Sequence, residues 1–114
     1  MHIIKVQPFF YDYIKLGTKR IELRLLDEKR SLIKLGDVIR ITKEPDNIEY
    51  TDVIVTGLLN YKTFKDLLTD FDISILADVN YQKEKLLAEL EKYYPKTKQE
   101  EYSVLGIRFE LITK

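Results

Sequence analysis

The stretch Gly17-Thr18-Lys19-Arg20-Ile21-Glu22-Leu23-Arg24 concentrates the groups best suited to chemistry. Glu22 and Arg24 are two residues apart, so on a strand they project from one face. A carboxylate and a guanidinium placed in this way can pair, and each keeps capacity for a ligand. Strict alternation puts Lys19 on the opposite face. It joins the other two only if the chain turns near Gly17 and Thr18, which glycine permits. The plain alternative is that these charges sit on the outer face of an amphipathic strand and are solvated, as exposed pairs usually are.

Further along, Lys29, Arg30 and Lys34 offer a basic surface next to this stretch, and Tyr61 offers a ring on which a base could stack. Phe9, Phe10 and Tyr93 fall on helix stripes, where core packing is the simpler reading. Other chemistries have little to stand on. With no cysteine there is no disulfide, thiolate metal site or cysteine nucleophile. His2 is the one histidine, so neither a histidine metal cluster nor a Ser-His-Asp triad can be assembled, and His2 itself reads as a strand residue. The four glycines form no phosphate-binding or dinucleotide fingerprint, so neither a metal nor a cofactor is expected.

The elements that must position these residues can be read from periodicity. His2 to Val6 alternates as a strand. Pro8 to Leu16 has Phe9, Phe10, Tyr13 and Ile14 at helical spacing, a proline at its start and Gly17 as its stop. Arg20 to Leu25 alternates, with Ile21, Leu23 and Leu25 on the face opposite Glu22 and Arg24. A turn over Asp27 to Arg30 and the pair Gly36-Asp37 precede a strand at Val38 to Thr42. Pro45-Asp46-Asn47 forms another turn before a long strand, Glu49 to Leu59, in which Gly57 marks a bulge. Thr63 caps a helix running to Thr69. Residues 70–79 have no clear period. Asn80 is the expected cap of a helix over Tyr81 to Tyr94, ended by Pro95. Lys96 to Glu101 reads as a polar loop, and Tyr102 to Ile112 as a final strand. Helices followed by a return to a strand suggest a sheet or partial barrel closed by its first and last strands.

The bulk properties fit this frame. The 114 residues suit one domain over 1–114. With 45% hydrophobic and 33% charged residues the chain is globular rather than disordered. No segment has the length of a membrane span, and Met1 to Val6 alternates instead of forming a signal peptide, so a cytoplasmic protein without membrane attachment is expected. The formal net charge is zero, which argues against indiscriminate coating of nucleic acid. Residues 1–43 nevertheless hold 10 Lys/Arg against 5 Asp/Glu, and residues 44–114 hold 9 against 14. That split either builds a basic face or lets the two halves attract each other.

The spacing Gly17-x-Lys19-x-x-Glu22-x-Arg24 resembles the G-x-K-x-x-E-x-R signature of ASCH domains, relatives of the PUA fold. The helix before it, Gly36-Asp37 before the next strand, the segment Tyr61 to Leu68 and the final strand Val104 to Leu111 are similar to the family's order of elements. The resemblance implies an α+β fold: a PUA-like β-barrel of about five to six strands with two to three helices beside it, and Lys19, Glu22 and Arg24 lining a cleft between barrel and helix. It also implies RNA or nucleotide binding.

In that reading Arg24 contacts phosphate or a base edge, Lys19 supplies positive charge, Glu22 accepts from an amine or ribose hydroxyl, and Lys29, Arg30 and Tyr61 extend the surface. Some small bacterial members of the family look like amidohydrolases acting on an acylated cytidine. Here Lys19 and Glu22 would be the catalytic pair. This chain departs from those members, because Glu22 stands where they have a hydroxyl residue. The region after Leu68 offers Asp70, Asp72 and Asp78 but no glutamate before Glu84, leaving Asp78 as the substitute acid. A third possibility is a protein-interaction domain using the acidic C-terminal half and the Tyr81 to Tyr94 helix.

Overall fold

The computed structural model describes residues 1–112. Among them are five strands, β1 (His2–Val6), β2 (Ile21–Leu25), β3 (Val38–Lys43), β4 (Tyr50–Tyr61) and β5 (Val104–Leu111). The helices are α1 (Pro8–Leu16), α2 (Phe64–Asp70), α3 (Ile73–Leu76), α4 (Lys83–Tyr93) and α5 (Lys96–Tyr102), with a 3₁₀ turn at Arg30–Leu32. The strands form one mixed sheet in the order β1-β3-β4-β5-β2, with β1 parallel to β3 and the other pairs antiparallel. The sheet curls into a half-barrel with the helices packed beside it.

The sheet is not closed by its first and last strands. β5 lies between β4 and β2, and the two edges are β1 and β2. The reason is β4, whose length lets it pair with β3 through Tyr50 to Ile54 and with β5 through Val53 to Tyr61. The bulge expected at Gly57 is present: Thr56 has no partner in the register, between Val55↔Phe109 and Gly57↔Arg108. An extra residue of this kind sharpens the twist and curls the sheet.

Two apolar clusters hold the fold. Inside the half-barrel, Ile4, Val6, Ile39, Ile41, Val53, Val55, Ile107 and Phe109 meet Tyr11 and Ile14 of α1. On the other side of β2 and β5, Ile21, Leu23 and Val104 meet Phe64, Leu67 and Leu68 of α2, Leu76 of α3, and Leu86 and Leu90 of α4. Gly106 has no side chain because the space is filled; an added Cβ would meet Leu67 at 3.1 Å and Ile21 at 3.2 Å.

Five helices rather than two to three surround the sheet, and three local expectations change. Residues 70–79 contain α3, one turn capped by Asp72, whose carboxylate accepts from the Ser74 N–H at 2.9 Å. Asn80 does not cap α4, which begins at Lys83 behind Gln82; its own N–H instead donates to Asp78. Lys96 to Glu101 is helical, as most of α5, because one polar residue anchors it. Gln99 is buried, accepts from the Phe64 N–H at 3.0 Å and donates to the Tyr94 carbonyl at 2.7 Å. Thr63 caps α2 as expected. The charge split is crossed by the pairs Lys15–Glu49, Arg40–Asp52 and Lys43–Glu49. Among the described residues no helix is long and apolar enough to cross a membrane.

Candidate functional site

The two sheet edges leave a seam, and the Lys19–Arg24 stretch lies along it. In β2, Ile21 and Leu23 face the helices, so Glu22 and Arg24 face the barrel interior, on the same side as their register partners Ile107 and Leu105. They are therefore not on a solvated outer face. Glu22 is only 6% exposed and Lys19 only 2%. Two charges that far from water must be compensated.

Lys19 reaches Glu22 because the chain turns where glycine allows it. Gly17 takes φ 87°, closing α1 with its N–H on the Ile14 carbonyl, while the Thr18 N–H bonds that of Tyr13. The next residues are pinned by α3, whose last carbonyls lack helical partners. The Arg20 N–H donates to Ile75 O at 2.7 Å, Lys19 Nζ to Leu76 O at 2.8 Å and the Thr18 hydroxyl to Ala77 O at 3.2 Å. Lys19 Nζ also donates to Ile21 O at 2.7 Å and lies 3.6 Å from Glu22 Oε1. The Phe10 ring lies beneath it at 5.3 Å.

Glu22 is the hub. Its Oε1 accepts from the Leu23 N–H at 3.0 Å, and its Oε2 accepts from Arg24 Nη2 at 3.1 Å. Arg24 Nη2 donates as well to the Lys5 carbonyl at 2.8 Å, so the guanidinium spans the seam from β2 to β1. Arg24 Nε is buried and has no hydrogen-bond partner among the described residues.

The titration of the trio follows from burial and mutual charge. Burial pushes the Lys19 amine down, opposed by Glu22 and assisted by Arg24, and the net shift is downward. Burial would raise the Glu22 carboxyl, but the cations of Arg24 and Lys19 and the Leu23 N–H outweigh it and hold it below 4.5. Burial would also lower Arg24, and Glu22, helped by Tyr94, more than offsets that.

A cavity of about 200 Å³ opens along this wall. Lys19, Glu22, Leu23 and Arg24 form one side, Phe10 and Leu86, Leu90, Tyr93 and Tyr94 of the helices another, and Lys5, Val6, Gln7 and Glu44 complete the rim. It offers an anchored cation and a carboxylate beside aromatic surface. The other predicted residues lie elsewhere. Lys29 and Lys34 are exposed and outside the cavity wall, and Arg30 pairs with Asp27 at 3.7 Å. Tyr61 packs against the helix-side cluster, and its hydroxyl donates to Asp70 at 2.5 Å, again outside the wall. Asp70, Asp72 and Asp78 are held by Tyr61, Ser74 and Asn80. His2 bonds Asp37 at 2.9 Å.

Sequence reasoning missed Glu44, Gln7 and Tyr94. Glu44 sits in a turn with no periodic signal; Gln7 and Tyr94 flank helix ends, and only the pairing of β1 with β3 and the packing of α4 bring them to the seam.

The ASCH domain pattern matches residues 4–113. A crystal structure of hypothetical protein PH0355 superposes with a TM-score of 0.81 at 31% identity, covering 96% of this chain and 97% of that one. The solution NMR structure of protein PF0455 from Pyrococcus furiosus gives 0.72 at 29% identity, covering 99% and 98%. A search of the curated proteins gave no match.

Proposed function

We propose, since this chain belongs to the ASCH domain family, that its seam cleft binds one unstacked base of single-stranded RNA. The observation that carries this reading is Arg24. Its position is fixed by Glu22 and the Lys5 carbonyl, yet its buried Nε has no acceptor. A buried donor without a partner costs about 1–3 kcal/mol; Nε is closed to water, so a ligand relieves that cost by drawing the guanidinium toward its own acceptor. Phe10, Tyr93 and Tyr94 give a base its stacking surface, and Glu22 has lone pairs left for an exocyclic amine. The cavity, about 200 Å³, is smaller than the roughly 300–1,000 Å³ of sites for drug-sized ligands, which favours a single base over a length of strand.

The test is the affinity of a short fluorescent single-stranded RNA for wild type, Arg24→Ala and Arg24→Lys. Both substitutions should weaken binding at least about tenfold with the fold retained, because lysine cannot reproduce the guanidinium fork. Unchanged affinity in Arg24→Ala would sink the assignment.

A hydrolytic reading has one observation in its favour, the downward-shifted amine of Lys19 beside Glu22. Against it, Lys19 Nζ is held by two main-chain carbonyls, an arrangement that suits an ammonium donor better than a base. Turnover of an acylated nucleoside by wild type but not by Lys19→Arg would support it; turnover retained in Lys19→Arg would rule out a lysine base.

A further inference from the structure

Behind the Lys19 wall lies a second cavity of about 300 Å³, lined by Lys19, Arg20, Thr56, Arg108 and Glu110 among others. Of the five arginines, Arg24, Arg30 and Arg40 each pair with a carboxylate, whereas Arg20 and Arg108 form no ion pair among the described residues. The two come together through the backbone: Arg108 is in register with Ile21, and the Phe109 N–H donates to the Arg20 carbonyl at 3.0 Å.

Both side chains have a prepared bed. Arg20 Nε donates to the Gly17 carbonyl at 3.1 Å, which orients the guanidinium and leaves its two terminal nitrogens for a ligand. The stem of Arg108 lies against Gly57, where an added Cβ would come within 3.1 Å of the Arg108 Cβ. The bulge places Thr56, unpaired in the register, in the wall of the same cavity. Glu110 is two residues from Arg108 on the same face of β5 and does not pair with it. Apart from Lys19, whose amine is held at Glu22, the lining charge is thus two cations against one carboxylate.

We propose that this second cavity is a phosphate site, with Arg20 and Arg108 donating to the phosphate oxygens and Thr56 adding a hydroxyl. Two guanidiniums lining one cavity, neither neutralised by a carboxylate and one of them oriented by the Gly17 carbonyl, suit the oxygens of a phosphate group. The site does not depend on the base cleft, although Lys19 separates the two.

The experiment is an amide-shift titration of the labelled chain with inorganic phosphate at constant ionic strength. The expected result is saturable shifts at Arg20, Thr56, Gly57 and Arg108. They should weaken about tenfold or more in the Arg20→Ala/Arg108→Ala double variant, persist in Arg24→Ala, and tighten severalfold in Glu110→Gln. Repeating the titration with a nucleoside monophosphate and with short single-stranded RNA identifies the source. If the RNA uses the site, the slope of log affinity against log salt becomes shallower by about 0.7 in the double variant, one phosphate contact's worth. If only the monophosphate does, the site serves a free nucleotide. No shifts at these four amides, or the same shifts in the double variant, would overturn the proposal, and either result leaves the base cleft to be judged by Arg24→Ala.

Discussion

The molecule contains the same set of groups twice, in opposite settings. On the outer face of the sheet, Arg40 pairs with Asp52 through two bonds of 2.9 and 3.1 Å, and its guanidinium lies 3.8 Å from the Tyr50 ring. In the seam, Arg24 meets Glu22 through one bond of 3.1 Å beside Tyr94. The outer pair has the better geometry, with both oxygens of its carboxylate engaged by the guanidinium, and both side chains stay partly exposed to water. The inner pair is less complete, with Glu22 buried and Arg24 half-buried, and it is tied to Lys19 and the edge of β1. What distinguishes a binding group from a surface ornament is therefore the surroundings: desolvated, fixed and incompletely satisfied.

The sharpest way to break this comparison is to remove each carboxylate. Glu22→Ala strands two cations in the seam and should destabilise the fold by about 3–5 kcal/mol, as breaking a buried pair does. Asp52→Ala should change stability far less, because water replaces the partner. Chemical denaturation of both variants checks this, and equal losses would erase the distinction.

Ligand affinity sharpens it next. Arg24→Ala should lose about tenfold or more in RNA binding, whereas Arg40→Ala should stay near wild type; a binding isotherm for each separates them.

Acid gives the third test. The Glu22 carboxyl titrates below 4.5 in the folded chain, so the unfolded chain holds the extra proton between the two values. The stability it contributes is complete above about 4.5 and falls away as pH drops through the folded value. Glu22→Gln should be less stable at neutral pH and should flatten the acid limb of a stability profile. A limb as steep as wild type would mean that other carboxylates govern it.

Salt should have the smallest effect. Double-mutant coupling between Arg40 and Asp52 should fade in 1 M salt, where the screening length is about 3 Å, and coupling between Glu22 and Arg24 should persist.

Much of this arrangement was legible in the sequence, and the gaps have physical causes. The alternation from Ile21 to Leu25 put Glu22 and Arg24 on one face, and Gly17 signalled the turn that returns Lys19 to them. Alternation cannot say whether the polar face meets water or the interior of a half-barrel, and that was decided by β5 lying beside β2. α3 is one turn long, too short to show a period, yet its carbonyls hold the chain from Thr18 to Arg20. α5 buries a glutamine rather than an apolar stripe, so hydropathy could not register it. Tyr61 reads as a free ring in sequence, and only the fold shows that its hydroxyl is bound to Asp70 and its ring packed against the helix-side cluster.

The most direct test of the seam as a ligand site is an amide-shift titration of the labelled protein with a short mixed-sequence single-stranded RNA at low salt. The account predicts shifts grouped at residues 5–7, 19–24 and 93–94, the walls of the cavity around Arg24. No shifts, or shifts confined to the outer face around Arg40 and Tyr50, would contradict it.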